Sequence, residues 1–452
     1  MSQSFFSMPQ PETTGRYLVL LDQDAVDSGI QALSNVAGVH DVARSAEFGD
    51  RSPNASDLAN ANAVVLDDIG VAVVNANPEQ AQALSVAVST SSAVMTVEPE
   101  RVVYALSDLS TGPIISQPLT NGSSSGLSLT PDYLKGYRAG VNQLIDHLLS
   151  AGGGLEEGLG EESDDPEITM MNTWGLRRTR VIRSNRSGLG IRVAVLDTGF
   201  DLTHPDFAGR TVSSKSFIDG QEVQDGNGHG THCIGTACGP QTPPGPPRYG
   251  VAYNAEIFAG KVLSNEGSGA DGGILAGINW AIASGCPIIS MSLGAPVRRG
   301  QTFSTIYETV AQRALQQGTL IIAAAGNDSQ RQRGQIAPVS HPANCPSIMA
   351  VAALDSRLGI AFFSNGGLNP NGGQIDIAGP GVDIYSTVPM PTRYENLSGT
   401  SMATPHVAGI AALYAEATGA RGQALWTQLT QGARRLALSS ADVGSGLVQA
   451  PQ

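Results

Sequence analysis

The chain of 452 residues lacks any apolar run near the roughly 18 to 20 residues that a bilayer-spanning helix requires. Its longest candidates, Thr319–Ala325 and Val407–Ala415, fall far short, so no membrane span is expected. Basic residues are scarce as well: 26 Lys+Arg face 40 Asp+Glu, giving a formal net charge of -14. Contacts to phosphates need a basic face, which removes nucleic acid as the main partner. Met1–Gln10 has neither a basic n-region nor an apolar h-region. An intracellular site is therefore the default expectation, with export by a route lacking a recognisable signal as the alternative. Only four cysteines occur: Cys233 and Cys238 on different faces of a helical stretch, Cys286 and Cys345 isolated. Free buried thiols are expected rather than a disulfide framework.

What is present is globular. Hydrophobic residues make up 41% and charged ones 15%, and the 54 glycines show no Gly-X-Y period, so they read as tight turns. At roughly 100 to 200 residues per domain the length suits two or three domains. From Tyr17 to Leu106 the order is strand Tyr17–Leu21, helix Val26–Val36, strands around Val39–Phe48 and Ala63–Val74, a helix opened by Pro78, and strand Val94–Tyr104. This βαββαβ order predicts a ferredoxin-like α+β domain over 16–107, preceded by a flexible 1–15. Residues 108–172 read as a linker, with an amphipathic helix at Tyr133–Ser150 and an acidic run, Glu156–Glu167, of seven carboxylates and no basic residue. Beyond it, over 173–452, apolar strands (Arg192–Leu196, Ile257–Val262, Ile288–Met291, Leu320–Ala324) alternate with helices such as Gly273–Ala283 and Ser304–Gln317. That is an α/β domain with a mainly parallel sheet buried on both faces.

Three segments carry chemistry: V-A-V-L-D-T-G-F-D at Val193–Asp201, D-G-N-G-H-G-T-H-C-I-G at Asp225–Gly235, and S-G-T-S-M-A-T-P-H-V-A-G at Ser398–Gly409. Each sets a polar residue beside glycines at a strand end or helix start, where open α/β sheets place their sites. A serine hydroxyl is a poor nucleophile until an imidazole takes its proton, and the imidazole needs a carboxylate to fix its tautomer. Asp197, His229 and Ser401 can fill those roles. Singly, each has a plain structural reading as turn former, core histidine or N-cap.

Taken together, the three segments, in the chain order Asp, His, Ser, resemble the signature blocks of the subtilisin-like serine proteases, the subtilases of peptidase family S8. With D-G-N-G-H-G-T-H-C followed by Tyr249-Gly250-Val251-Ala252, the likeness is nearest the proteinase K branch. The resemblance covers roughly Trp174–Gln452 and implies a subtilisin-like three-layer fold and a serine endopeptidase working through an acyl-enzyme. It makes Asn327, in I-I-A-A-A-G-N, the side-chain donor of the oxyanion hole, with the Ser401 backbone amide as the second. It sets Gly267, Ser268, Gly269 and Ser292, Leu293, Gly294 along an extended substrate, and Ala324, Ala325 and Gly326 on one wall of the P1 pocket, the one for the residue before the scissile bond. No cofactor is implied for the chemistry. Calcium is a possible structural ion: Asp376, with the carbonyls of Pro346 and Ile348, resembles one family site. Asp206 in H-P-D-F matches another, whose completing loop is replaced by the proline-rich Gly239–Arg248. Cys233 is expected to be a small buried hydrophobe.

Val94–Tyr104 resembles the last strand of inhibitor I9-type propeptides. That implies an N-terminal domain acting as an intramolecular inhibitor, Val103–Ser107 in the cleft, and self-processing near Leu106 or within Gly152–Met171. The implied partners are protein or peptide substrates and the chain's own propeptide, and a monomer is expected. Two other functions share the residues: a peptide ligase or cyclase using the same acyl-enzyme, and a binding protein whose triad is silenced by its N-terminal domain.

Overall fold

Alternation of apolar residues builds the N-terminal region. The computed structural model describes residues 12–50, 52–53, 55–106, 170–245 and 247–452. Its first part runs β1 (Thr13–Leu21), α1 (Val26–Ala37), β2 (Val42–Arg44), α2 (Ala55–Asn60), β3 (Ala63–Leu66), β4 (Val71–Val74), α3 (Pro78–Thr90) and β5 (Val94–Ala105). The strands order as β5-β1-β4-β3, antiparallel, with β2 added parallel to β3 at the edge. Helix α3 begins where Asn77 Oδ1 accepts from the Gln80 amide at 2.9 Å and Gln80 returns the bond at 3.1 Å, with Pro78 pre-set for the first turn. Side chains alternate across β1: Val19 and Leu21 join Leu33 and Leu84 under α1 and α3, whereas Leu18 and Leu20 face the opposite way. That second face, with Val64, Leu66, Val71 and Val73, continues into the core of the larger domain at Ile274, Leu275 and Val310.

Two boundaries differ from the sequence reading. The run Ala63–Val74 is a hairpin of β3 and β4 rather than one strand: Gly70 takes φ +64° and its amide bonds the Leu66 carbonyl at 2.8 Å. Val39–Phe48 yields only the short β2, because the Asp67 carboxylate gathers Arg44 Nε (2.9 Å), Ser45 Oγ (3.1 Å) and the Ala46 amide (2.9 Å) and curls the chain into a 3-10 turn. Helix α2 was not anticipated. The expected linker helix and acidic run lie outside the described residues.

The larger domain contributes α4 (Trp174–Arg178), β6 (Arg192–Asp197), β7 (Val212–Ser216), α5 (His229–Cys238), β8 (Glu256–Lys261), β9 (Ser268–Ala270), α6 (Asp271–Ala283), β10 (Ile288–Met291) and β11 (Leu293–Gly294). After these come α7 (Thr305–Gln316), β12 (Leu320–Ala324), β13 (Met349–Leu354), β14 (Ile377–Pro380), β15 (Ile384–Thr387), β16 (Tyr394–Leu397), α8 (Thr400–Thr418) and α9 (Gly422–Gly432). Seven parallel strands order as β14-β13-β12-β10-β6-β8-β7. Along β6, Ala194 and Leu196 pack on the side of α6 and α7, while Val193 and Val195 pack on the side of α5 and α8. The result is a three-layer α/β sandwich of the subtilisin-like type, as expected, with the helix starts at His229 and Ser401 and the strand ends at Asp197 and Ala324 gathered along one edge. All four cysteines are buried and free. Among the described residues, no helix is long and apolar enough to cross a membrane.

The two domains also share polar contacts. Arg313 on α7 donates to the carbonyls of Leu21 (2.9 Å), Ile69 (2.5 Å) and Gly70 (3.4 Å) at the rim of the N-terminal sheet. Stranding those carbonyls costs about 1–3 kcal/mol. In Arg313→Ala, hydrogen exchange should therefore quicken at the amides of the 67–70 turn while protection in β13 is retained; equal effects at both places would contradict a local docking role.

Candidate active site

Asp197 ends β6 and His229 opens α5, and Asp197 Oδ1 lies 2.7 Å from His229 Nδ1. The loop between them is organised by one carboxylate. Asp225 accepts from Thr198 Oγ1 (2.9 Å), the amides of Asn227 (3.0 Å), Gly228 (2.8 Å) and Thr231 (2.8 Å), and Thr231 Oγ1 (2.7 Å). Thr198 Oγ1 in turn accepts from the Gly230 amide at 2.8 Å, which ties the start of α5 to the end of β6. Glycine is required at that junction, since a Cβ on Gly230 would sit 2.3 Å from the Gly199 carbonyl. Buried Lys261 donates to the Thr198 carbonyl and to Asn265 Oδ1 (2.8 Å), setting a cation close to Asp197 and Asp225.

Burial works against a charged His229, yet the Asp197 carboxylate 2.7 Å away holds the ring well above its ordinary value. Its Nε2 is buried and has no hydrogen-bond partner among the described residues. The neighbouring histidines stay neutral: burial pushes His232 down to about 3 and His406 down to about 4. Cys233 Sγ lies 4.0 Å from His229 Nδ1 and 3.6 Å from the Ser401 carbonyl. Burial raises its thiol, so it stays protonated and serves as packing.

Ser401, in the first turn of α8, places Oγ 2.8 Å from the Leu106 carbonyl and 3.1 Å from that of Ser292. Asn327 Nδ2 donates to the same Leu106 carbonyl at 2.7 Å. The carboxamide is held in that orientation by Thr400, whose amide (2.9 Å) and hydroxyl (2.8 Å) both donate to Asn327 Oδ1. Sequence reasoning missed Thr400, although it stands beside Ser401 in the third segment.

The carbonyl at this point belongs to the N-terminal domain. Strand β5 runs on into a cleft between β9 and β11, antiparallel to both: Val103 opposes Gly269, Tyr104 opposes Ser268 and Gly294, and Ala105 opposes Leu293. The Ala105 amide reaches the Gly267 carbonyl at 2.8 Å, and the Leu106 amide reaches that of Ser292 at 3.3 Å. The six residues expected along a substrate are thus brought together on one strand of chain. Close approach demands small residues: a Cβ on Gly269 would lie 2.3 Å from the Val262 carbonyl, and one on Gly294 3.3 Å from Leu106 Cδ1. Ala324, Ala325 and Gly326 are buried and lead from β12 straight into Asn327.

A model of the subtilase family, peptidase S8, matches residues 188–449. The chain belongs to the subtilase family. It is 38% identical to subtilisin DY of Bacillus licheniformis over 53% of this chain and 81% of that protein. An alkaline protease of Alkalihalobacillus alcalophilus is 40% identical over 57% of this chain and 64% of its own length. Subtilisin E of Bacillus subtilis is 42% identical over 50% and 56%, so the chain spans less than two thirds of these last two relatives. Membership makes this subtilase a serine endopeptidase, a hydrolase of peptide bonds.

The asparagine's orientation generates a prediction. Losing an oxyanion donor costs about 10²–10³ in rate, a figure known from this same family. Thr400→Val keeps the buried shape but removes one of the two bonds that aim Asn327. A fall in kcat of about 5- to 10-fold with little change in KM is expected; an unchanged kcat would show that the Thr400 amide alone suffices.

Proposed function

We propose that the protein is made as a self-inhibited precursor, an endopeptidase whose N-terminal domain is an I9-type propeptide and whose first substrate is its own Leu106–Ser107 bond. One observation carries this reading: the Leu106 carbonyl oxygen is shared by Ser401 Oγ and Asn327 Nδ2, with the preceding residues laid as a strand between β9 and β11. Between the two processing sites the sequence left open, this one is favoured.

The chemistry follows from the atoms present. In the neutral form that acts as base, His229 keeps its proton on Nδ1 toward Asp197, which leaves the Nε2 lone pair to take the Ser401 hydroxyl proton as Oγ attacks the carbonyl carbon, and the same carboxylate favours the imidazolium that results. Negative charge then develops on the oxygen that Asn327 already holds, and the start of α8 favours an anion there. Collapse passes the Nε2 proton to the departing amine and leaves an ester on Ser401, and water activated by the same imidazole hydrolyses it. Protein substrates would follow the path of Val103–Leu106 by strand addition.

No cofactor enters these steps. Calcium belongs to structure, and the two expected positions differ. Asp206 has its cation built in: its carboxylate accepts from Tyr249 OH (2.7 Å), Arg393 Nη2 (3.0 Å) and Tyr394 OH (2.9 Å). Asp376, just before β14, is partly exposed as a residue, but its carboxyl is enclosed, and burial pushes it up to about 7 against the single opposing bond from the Ala350 amide at 2.8 Å. An uncompensated buried carboxylate is a fitting oxygen ligand for a hard cation, together with the carbonyls of Pro346 and Ile348. That site and Cys233 after H-G-T-H support placement near the proteinase K branch.

The maturation reading is tested by intact mass and N-terminal sequencing of purified wild type beside Ser401→Ala. The wild type should release a fragment ending at Leu106 and the variant should stay full length; cleavage at Leu106 in both would remove Ser401 from the reaction.

The ion is tested by thermal melts. An acid raised in the folded state keeps a proton that the unfolded chain gives up, so without a cation its contribution erodes stability between about pH 4 and 7 and is level above. Millimolar calcium should raise the wild-type Tm above pH 7, and Asp376→Asn should lose both the calcium response and this part of the pH dependence. A wild-type Tm indifferent to calcium would exclude the ion.

A further inference from the structure

The strand that enters the cleft makes one side-chain contact well before the scissile position. Arg101, the sixth residue before the Leu106–Ser107 bond, donates its amide to Asp271 Oδ2 at 3.1 Å. Its guanidinium Nη1 lies 3.2 Å from His341 Nδ1 and 3.5 Å from Nε2, which sets it over the face of the imidazole, and Nη2 lies 3.3 Å from Glu98 Oε2. His341 Nε2 lies 3.0 Å from Asp271 Oδ1. A group almost equidistant from the two ring nitrogens lies off the line of either lone pair, so the guanidinium meets the imidazole as a cation on a π face, and Asp271 at Nε2 fixes the plane of the ring and places negative charge beside it. The ring is braced edge-on by Tyr307, with centroids 4.7 Å apart, and the Tyr307 hydroxyl bonds the Asp271 carbonyl at 3.3 Å. Asp271 and His341 are buried, and the Arg101 side chain is only 18% exposed, so the contact is made largely out of water.

Asp271, His341 and Tyr307 all belong to the catalytic domain and remain with it when the N-terminal domain departs. We propose that His341, oriented by Asp271, is a specificity subsite for a cationic side chain at the sixth position before the scissile bond, so that the protease favours substrates with arginine there. The proposal rests on the reading that Leu106 occupies the position before the cut. The amide contact to Asp271 is available to any residue; the side-chain contact to His341 discriminates, because an alanine leaves the ring face and the Asp271 charge beside it without a cation, and a glutamate sets an anion there.

The full chain, allowed to process itself, is assayed on acetylated peptides spanning residues 101–110, which leave out Glu98. The peptides carry Arg101, Arg101→Ala or Arg101→Glu. The arginine peptide should be cleaved with kcat/KM about 3- to 10-fold above the alanine peptide, with the difference in KM, and the glutamate peptide should be poorest. In His341→Leu, which keeps apolar bulk against Tyr307 but neither a ring face nor a nitrogen, the arginine-to-alanine ratio should fall toward one. Ratios are read within each enzyme, so a general loss of activity in the variant cancels. Equal cleavage of the arginine and alanine peptides by wild type, or an undiminished ratio in His341→Leu, overturns the subsite while leaving the endopeptidase reading intact. Failure of wild type to cut any peptide after Leu106 overturns both.

Discussion

The carboxylate of Asp225 is the constraint on which the site depends. An ionised carboxyl taken out of water is tolerated only when its lone pairs are met, and here five donors meet them. Those donors come from the strand end that carries Asp197 and from the first turn of the helix that carries His229. Satisfying the buried charge therefore sets the distance between the two catalytic side chains. The small residues nearby follow from the same demand: Gly199 and Gly230 let strand and helix approach until their backbones touch, which any Cβ would prevent. Lys261 adds the compensating cation, so the region carries its charges in a closed set rather than through solvent.

A second consequence concerns how the N-terminal domain holds. Its last strand lies in the cleft, but the tail is only one of several contacts. The apolar face of Leu18, Leu20, Val64, Leu66 and Val73 is buried with α6 and α7, and Arg313 closes the rim. Cutting the chain at Leu106 would leave all of these in place, and the tail would remain at high effective concentration over Ser401. Cleavage and release are thus separate events in the proposed maturation, and the strength of inhibition is set as much by the packed sheet face as by the cleft.

Much of this was legible in the order of residue types. Continuous apolar strands separated by helices specify a buried parallel sheet, and polar residues beside glycines at strand ends mark where such sheets work, so Asp197, His229 and Ser401 could be named, while Asn327 came from the resemblance to the subtilases. The geometry brings them to one edge. Hidden features share a physical cause: they depend on contacts between distant segments or on strands buried on both faces. The hairpin within Ala63–Val74 lacks polar alternation because both faces are covered, and only the short Asp67–Gly70 stretch betrays the turn. The curl after β2 is dictated by Asp67, more than 20 residues along the chain. Thr400 could have been found as the one neighbour of Ser401 able to reach Asn327. The Arg101, Asp271 and His341 contact joins residues 170 and 240 apart, which no local pattern announces.

The two carboxylates considered for calcium show why ion dependence cannot be read from a motif alone. Asp206 stands in a family-like H-P-D-F, yet a guanidinium and two phenols already saturate it, and a further cation would have to displace Arg393. Asp376 has the opposite problem: its carboxyl is enclosed and accepts from one amide, with no cation against it among the described residues, and burial pushes it up to about 7, so a proton or an ion is favoured there. Proton and ion compete for the same oxygen. If an ion binds there, its affinity must weaken as the pH falls below about 7, and the stability of the fold on that side of the sheet then reports both together.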